Sequence, residues 1–268
     1  MTVMMSADAV FQLDGERFLP TSLAVGPWGP DRLHGGPVLG LLARAIERIA
    51  ADPQLVLARL TVDLFRAVPL AALSVRAQVV QRSRRLSIVQ AAVFVEETEY
   101  ARASAMLLAP SDVEDLHPAW PVPQGPDGLA TESLMRGMTG AVGPGFHTMI
   151  ETRWPPRAEG QPLAVWFRLP VPLVAGETST ALQRMVALSD FANAIASIGA
   201  RERDDNTLPY INTDTSLYLW RKPEGEWFAL QEQLTRAASG VGVAESTLYD
   251  ARGPLGRALQ ARLAYRRP

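Results

Sequence analysis

The chain repeats itself, and that limits its fold more than any other feature. Leu64-Phe65-Arg66 followed by Pro69 matches Leu219-Trp220-Arg221 followed by Pro223, and Arg102-Ala103 matches Arg257-Ala258. The arginines of each half stand 36 positions apart, 66 to 102 and 221 to 257. Each half opens with a helical pattern and continues with strands. Val38, Leu41, Leu42, Ala45, Ile46 and Ile49 recur at helical spacing over Gly36–Ala51, and Asp52-Pro53 ends the run. Strand-like runs follow at Val56–Phe65, Leu70–Gln81, Leu86–Glu96 and Tyr100–Leu108. In the second half, Thr180-Ala-Leu-Gln183 forms a capping box, and Leu182, Met185, Val186, Ser189, Ala192 and Ala196 continue one helical face. Strand-like runs then lie at Asn212–Trp220, Trp227–Leu234, Val241–Tyr249 and Leu255–Tyr265. Neither half alone covers both faces of such a sheet. The expected solution is an α+β fold in which each long helix is wrapped by a curved antiparallel sheet and the two sheets pair.

Between the halves, residues 110–146 contain six Pro and six Gly, a density that breaks both helical and strand periodicity. The reading is therefore residues 1–109, a linker at 110–146, and residues 147–268. Trp120, Leu134 and Met135 give the linker something to pack with.

Composition removes several chemistries. There is no Cys, so no disulfide, thiol nucleophile or thiolate metal site can form. Lys222 is the one lysine; it precedes Pro223 and lies in no phosphate-binding loop, and its turn position is a poor place for a Schiff base. His34, His117 and His147 stand singly, without metal-ligand spacing. No metal and no cofactor are expected. The formal charge of −2 argues against nucleic acid as a partner. No apolar run approaches the ~18 residues of a membrane span. Met1–Val10 lacks the basic residues of an export signal, so a cytoplasmic location is expected.

Several segments resemble the double-hotdog acyl-CoA thioesterase family that contains acyl-CoA thioesterase II. His34-Gly35-Gly36-Pro37 is similar to the family's aromatic-Gly-Gly start of the first helix. Ala164-Val-Trp-Phe-Arg168, Ala187-Leu-Ser-Asp190, Ile211-Asn-Thr-Asp-Thr-Ser216 through Arg221, and Leu255–Arg266 resemble successive elements of its second hotdog. The resemblance implies a double hotdog, an acyl-CoA substrate and a homodimer or larger homo-oligomer. It also implies a catalytic Asp, Thr and Gln that activate a water. The Asp falls on Asp190 and the Gln on Gln260; the Thr falls on Asn212, with Thr213 beside it. Asn can hold a water through its amide, but it lacks the hydroxyl.

Asp190 has Val186 and Ala194 four residues to either side, so no salt-bridge partner is built into its own helix. An enclosed carboxylate of this kind is suited to general-base work; its alternative is to cap a second, shorter helix. The repeat sharpens the choice. Ala105 stands in the first half where Gln260 stands in the second, and Gly35 or Gly36 takes the place of Asp190, as if only one copy carried the chemistry. His34-Gly35-Gly36 resembles a serine-esterase oxyanion loop, but no G-x-S-x-G accompanies it. Its glycines would let the backbone approach a thioester or pantetheine at a helix start, or simply make a tight turn. His34 could also pair with Asp190 as a dehydratase base, although the H-x-x-x-G-x-x-x-x-P pattern fails at Val38 and Ala43. Arg82, Arg84 and Arg85 read as a solvated turn rather than a coenzyme A clamp, and Trp28, Trp154, Trp166 and Trp227 as core or interface. The expected function is hydrolysis of an acyl-CoA by Asp-activated water. The alternatives are a non-catalytic acyl-CoA binder of the same fold, or an enoyl hydratase or dehydratase.

Overall fold

The computed structural model describes residues 8–113, 122–134, 143–202 (side chains to 200) and 210–265. A hairpin of β1 (Phe11–Asp14) and β2 (Arg17–Pro20) precedes α1 (Gly35–Ala50). Around α1 run β3 (Val56–Leu64), β4 (Ser74–Arg82), β5 (Leu86–Val95) and β6 (Thr98–Leu108). The second half begins with β7 (Thr131–Glu132), α2 (Phe146–Met149), β8 (Glu151–Arg153) and β9 (Ala164–Arg168). It continues with α3 (Ala181–Ser189), α4 (Ala192–Glu202), β10 (Tyr210–Asn212) and β11 (Asp214–Leu219). Then come β12 (Trp227–Ala238), β13 (Val241–Asp250) and β14 (Gly253–Ala264).

One antiparallel sheet runs β4-β5-β6-β3-β11-β14-β13-β12-β9-β8-β7, with β10 on β14. Its two halves are the two repeats in matching register. Asp63 faces Arg102 across β3 and β6, and Tyr218 faces Arg257 across β11 and β14; both pairs differ by the same 155 positions. The halves join where β3 meets β11. There Thr61 faces Ser216, again 155 apart, and the Ser216 hydroxyl donates to that of Thr61 at 3.3 Å. An approximate two-fold axis therefore passes between equivalent residues. Beside it, Leu60 faces Leu217, both fully buried. Burial of this kind stabilises by roughly 2 kcal/mol per side chain.

The helix expected at Gly36–Ala51 is α1, ended by Ala51 in the left-handed conformation (φ 50°). It packs on β4, β5 and β6, and α4 packs correspondingly on β12, β13 and β14. Arg82, read as a solvated turn residue, instead caps α1: its guanidinium donates to the carbonyls of Ile49 and Ala50 at 3.2 and 2.9 Å. The continuous helical face expected from Leu182 to Ala196 is broken. The Phe191 N–H bonds back only three residues, to Leu188, and the Ser189 hydroxyl takes the Val186 carbonyl, so α3 tightens and stops. A new helix starts with Ile195 N–H on the Phe191 carbonyl. Asp190 sits at this break. Likewise the strand expected at Asn212–Trp220 is interrupted at Thr213, between β10 and β11.

A few described residues of the Pro/Gly-rich stretch pack, although most are exposed. Leu134 is buried, and the Trp166 indole donates to the Gln124 carbonyl at 2.7 Å. Trp120 and Met135 lie outside the described residues. Trp154 and Trp166 are core as expected, whereas Trp28 is 45% exposed.

A polar latch ties α1 to the start of α3. Arg44 grips Glu177 through two hydrogen bonds of 2.7 and 2.6 Å, and Arg48 adds a third. These cations hold the Glu177 carboxyl below the usual range. One turn on, Glu47 accepts from the Thr180 hydroxyl and the Gln183 amide, the two side chains of the α3 capping box; burial pushes its carboxyl up. The latch fixes α3 antiparallel to α1, so the end of α3 meets the beginning of α1.

Candidate active site

Two glycines make that meeting possible. A Cβ on Gly36 would lie 2.6 Å from the Ala187 carbonyl oxygen and 2.7 Å from the Phe146 ring. A Cβ on Gly35 would lie 2.7 and 2.8 Å from the two carboxylate oxygens of Asp190. The space the glycines leave is thus filled by the other half of the chain, and Asp190 is pressed against the N-terminus of α1. That end carries partial positive charge and suits a carboxylate.

Asp190 is 6% exposed. Its Oδ1 accepts from Asn212 Nδ2 at 2.8 Å, and its Oδ2 lies 2.9 Å from His34 Nδ1. The same Nδ1 is 3.1 Å from the Gly36 N–H, which it caps. One ring nitrogen cannot accept from Gly36 and donate to Asp190 at once. Moving one proton onto or off Nδ1 therefore exchanges one contact for the other. The His34 ring is held by Phe191 and Phe146, with centroids at 4.8 and 5.2 Å.

Gln260 is fully buried. Its amide donates to the Thr215 hydroxyl at 2.8 Å and reaches the main-chain carbonyl of Asp190 at 3.4 Å, not the carboxylate. Its Oε1 has no partner among the described residues. The Thr213 hydroxyl is exposed and lies 3.5 Å from the Ala261 carbonyl, away from Asp190. Of the residues expected at the site, the structure gathers His34, Gly35, Asp190 and Asn212 around one carboxylate. Gln260 stands behind it, Gly36 lies under the helix crossing, and Thr213 is at the rim.

These groups open on a cavity of about 1230 Å³, large even for a small-molecule site. Trp28 stands edge-on to Tyr265 beside it, with centroids 5.9 Å apart. Arg32, Arg66 and Arg236 line its exposed part; Arg82, Arg84 and Arg85 do not reach it.

Sequence reasoning missed two residues here. His147 is 4% exposed and stacks 6.3 Å from His34, and among the described residues neither of its ring nitrogens makes a proper hydrogen bond. Burial, followed by the neighbouring His34, lowers its pKa to about 4; the nearby carbonyls of Gly143 and Val25 oppose this weakly. It enters neutral at pH 7. No local pattern announces it. Arg262 could have been found, because it lies two residues beyond Gln260 on one strand and so on the same face. Among the described residues, no group of three His, Asp or Glu side chains is arranged to hold a metal, and no helix is long and apolar enough to cross a membrane.

The profile for the acyl-CoA thioesterase N-terminal domain matches residues 24–108, and that for the C-terminal domain matches residues 114–264. This chain belongs to the acyl-CoA thioesterase family. The fold agrees. A candidate thioesterase from Novosphingobium aromaticivorans DSM 12444 superposes with a TM-score of 0.71 at 20% identity, over 97% of this chain and 100% of that one. Acyl-CoA thioesterase II TesB2 from Mycobacterium marinum gives 0.62 at 14% identity, over 96% and 94%. A hotdog-fold protein of unknown function from Alicyclobacillus acidocaldarius gives 0.60 at 14%, over 97% of each chain. Among curated protein sequences none matches. The α+β architecture above is the family's hotdog fold.

Proposed function

We propose that this protein hydrolyses an acyl-CoA to the free acid and coenzyme A, with Asp190 as general base. The observation that carries the reading is the Asp190 carboxylate, fixed by Asn212 and His34 in the wall of a large cavity. Each of its oxygens keeps a lone pair after these contacts, enough to orient a water. Asp190 takes a proton from that water as its oxygen bonds to the thioester carbonyl carbon. The Gly35 N–H, first in α1 and without an acceptor among the described residues, is placed to meet the developing oxyanion. When the tetrahedral intermediate collapses, the C–S bond breaks and the thiolate leaves with the proton Asp190 had taken. Asn212, where the resemblance places the family's Thr, holds the Asp190 carboxylate through its amide and lacks the hydroxyl. The exposed Arg32, Arg66 and Arg236 complement the phosphates of coenzyme A.

The chain has no cysteine, so a thiol-reactive chromogenic disulfide reports released coenzyme A without background from the protein. Wild type is expected to release thiol from acyl-CoAs, and Asp190→Asn to lose at least 100-fold in kcat. Equal rates would overturn the mechanism, and binding without release on any chain length would leave a non-catalytic binder.

The 2.9 Å contact of His34 with Asp190, one from each half, favours one second reading: addition or removal of water at an enoyl-CoA. Loss of enoyl absorbance that depends on His34, without thiol release, would select it.

A further inference from the structure

Arg262 is a buried cation with donors to spare. It is 3% exposed, and it faces Asn212 across β10 and β14, so the two side chains share one face of the sheet. Its Nε donates to Asn193 Oδ1 at 2.7 Å and its Nη2 to the Ser197 hydroxyl at 2.8 Å, and its Cζ lies 4.7 Å from the Tyr210 ring centre. A guanidinium has five N–H donors. The other three, both on Nη1 among them, have no acceptor among the described residues, and no carboxylate lies within ion-pair distance there. None of its nitrogens is sealed off without a partner, and the side chain lines the cavity. Burial depresses its pKa, and the more distant Tyr210 and Glu232 only partly offset that. The charge is desolvated on most sides and keeps donors toward the cavity, where an anion that enters can engage them.

Its position says what arrives. Asn193 lies one helical turn after Asp190, and Asn212, the cross-strand neighbour of Arg262, bonds the Asp190 carboxylate. Arg262 therefore stands on the same cavity wall as Asp190, where a thioester carbonyl would react. The phosphates of coenzyme A are separated from that carbonyl by the whole pantetheine arm, and the exposed arginines already serve them. An anion carried by the acyl group is the partner that suits this position.

We propose that the cavity takes a short acyl thioester ending in a carboxylate, and that Arg262 binds that carboxylate through its free N–H fork. The assignment rests on the thioesterase reading above and narrows its substrate class. Hydrogen bonds to Asn193 and Ser197 hold the fork in place, leaving Nη1 for the ligand.

The test compares succinyl-CoA and glutaryl-CoA with butyryl-CoA, hexanoyl-CoA and 3-hydroxybutyryl-CoA. Wild type is expected to favour the carboxyacyl thioesters at least ten-fold in kcat/KM, and free glutarate to inhibit at least ten-fold more tightly than hexanoate. In Arg262→Met the carboxyacyl rates should fall at least ten-fold more than the plain acyl rates, with Arg262→Lys between. Because Arg262 also braces α4, circular dichroism accompanies each variant, and the wild-type preference stands without any variant. Equal wild-type rates, preference for the hydroxyacyl group alone, or an equal loss on both substrate classes in a folded variant would overturn the assignment. Absence of thiol release from every thioester would instead overturn the hydrolase reading. Equilibrium binding of glutaryl-CoA against hexanoyl-CoA then reads Arg262 directly, and equal affinity overturns it.

Discussion

His147 makes the stability of this protein depend on acidity in a way that one substitution isolates. The ring is buried against His34, its nitrogens lack proper hydrogen bonds among the described residues, and its pKa falls from 6.5 to about 4. Below pH 6.5 the unfolded chain takes up a proton that the folded chain refuses. The stabilising contribution is therefore complete above pH 6.5 and is lost as pH falls toward 4, where both states carry the proton. At about 1.4 kcal/mol per pH unit, the full loss is roughly 3 kcal/mol, and about 2 kcal/mol of it is spent by pH 5. Carboxyl groups add their own dependence in acid. Glu177, lowered by Arg44, also costs stability in acid, while Glu47 and Asp214, raised by burial, act in the opposite sense. The measurement must accordingly be a difference. His147→Phe keeps a ring in the site and removes the proton acceptor, and losing two unpaired nitrogens costs little there. Urea unfolding followed by tryptophan fluorescence should find the two proteins within about 1 kcal/mol at pH 8. At pH 5 the variant should have gained about 2 kcal/mol on wild type. Parallel curves from pH 8 to pH 5 would refute the argument, because they would mean that His147 takes up its proton equally in both states.

Three further substitutions probe the site and its supports. Gly35→Ala places a methyl group within 2.8 Å of the Asp190 oxygens, so the carboxylate must move; kcat should drop at least ten-fold and stability by about 1–3 kcal/mol, read by thiol release and denaturation. Asn212→Ala removes the donor to Asp190 Oδ1 and should lower kcat/KM about ten-fold with little loss of stability, checked by the same two assays. Arg44→Met removes two of the three hydrogen bonds on Glu177 and leaves Arg48 as its cation; the expected cost is about 1–2 kcal/mol by denaturation, recovered in part by Glu177→Gln in the double variant.

The sequence carried the repeat, the strands and the helix cap because these are local or periodic signals. A period of two or 3.6 residues survives in the sequence whatever the strand later pairs with. The break at Asp190 was legible only as an alternative: Asp190 could cap a second, shorter helix, but Ser189, Ala192 and Ala196 also suit a continuous one, and the side-chain bond from Ser189 to Val186 and the tightened turn decide it. His147 was hidden, because its meeting with His34 joins positions far apart in the chain and depends on how α2 packs under α1.

The asymmetry of the two copies, visible in the sequence but unexplained there, has a steric cause. Asp190 and Gly35 differ by 155 positions, the offset that relates Arg257 to Arg102 and Ser216 to Thr61. They are the same residue of the repeated unit, each just before or at the start of its long helix. The two-fold axis brings them face to face, and the carboxylate of one fills the space where the Cβ of the other would stand. Two carboxylates could not occupy that point: they would overlap and repel. A symmetric duplication with Asp in both copies is thus excluded by geometry, and Gly35 is the partner that lets Asp190 approach the axis. The same offset pairs Asn212 with Leu57, Gln260 with Ala105 and Arg262 with Leu107. Once one carboxylate holds the axis, its polar neighbours are needed on one side alone, and the other copy is free to be core. On the proposed mechanism, one site per pair of halves therefore follows from a carboxylate on the symmetry axis of a duplicated fold.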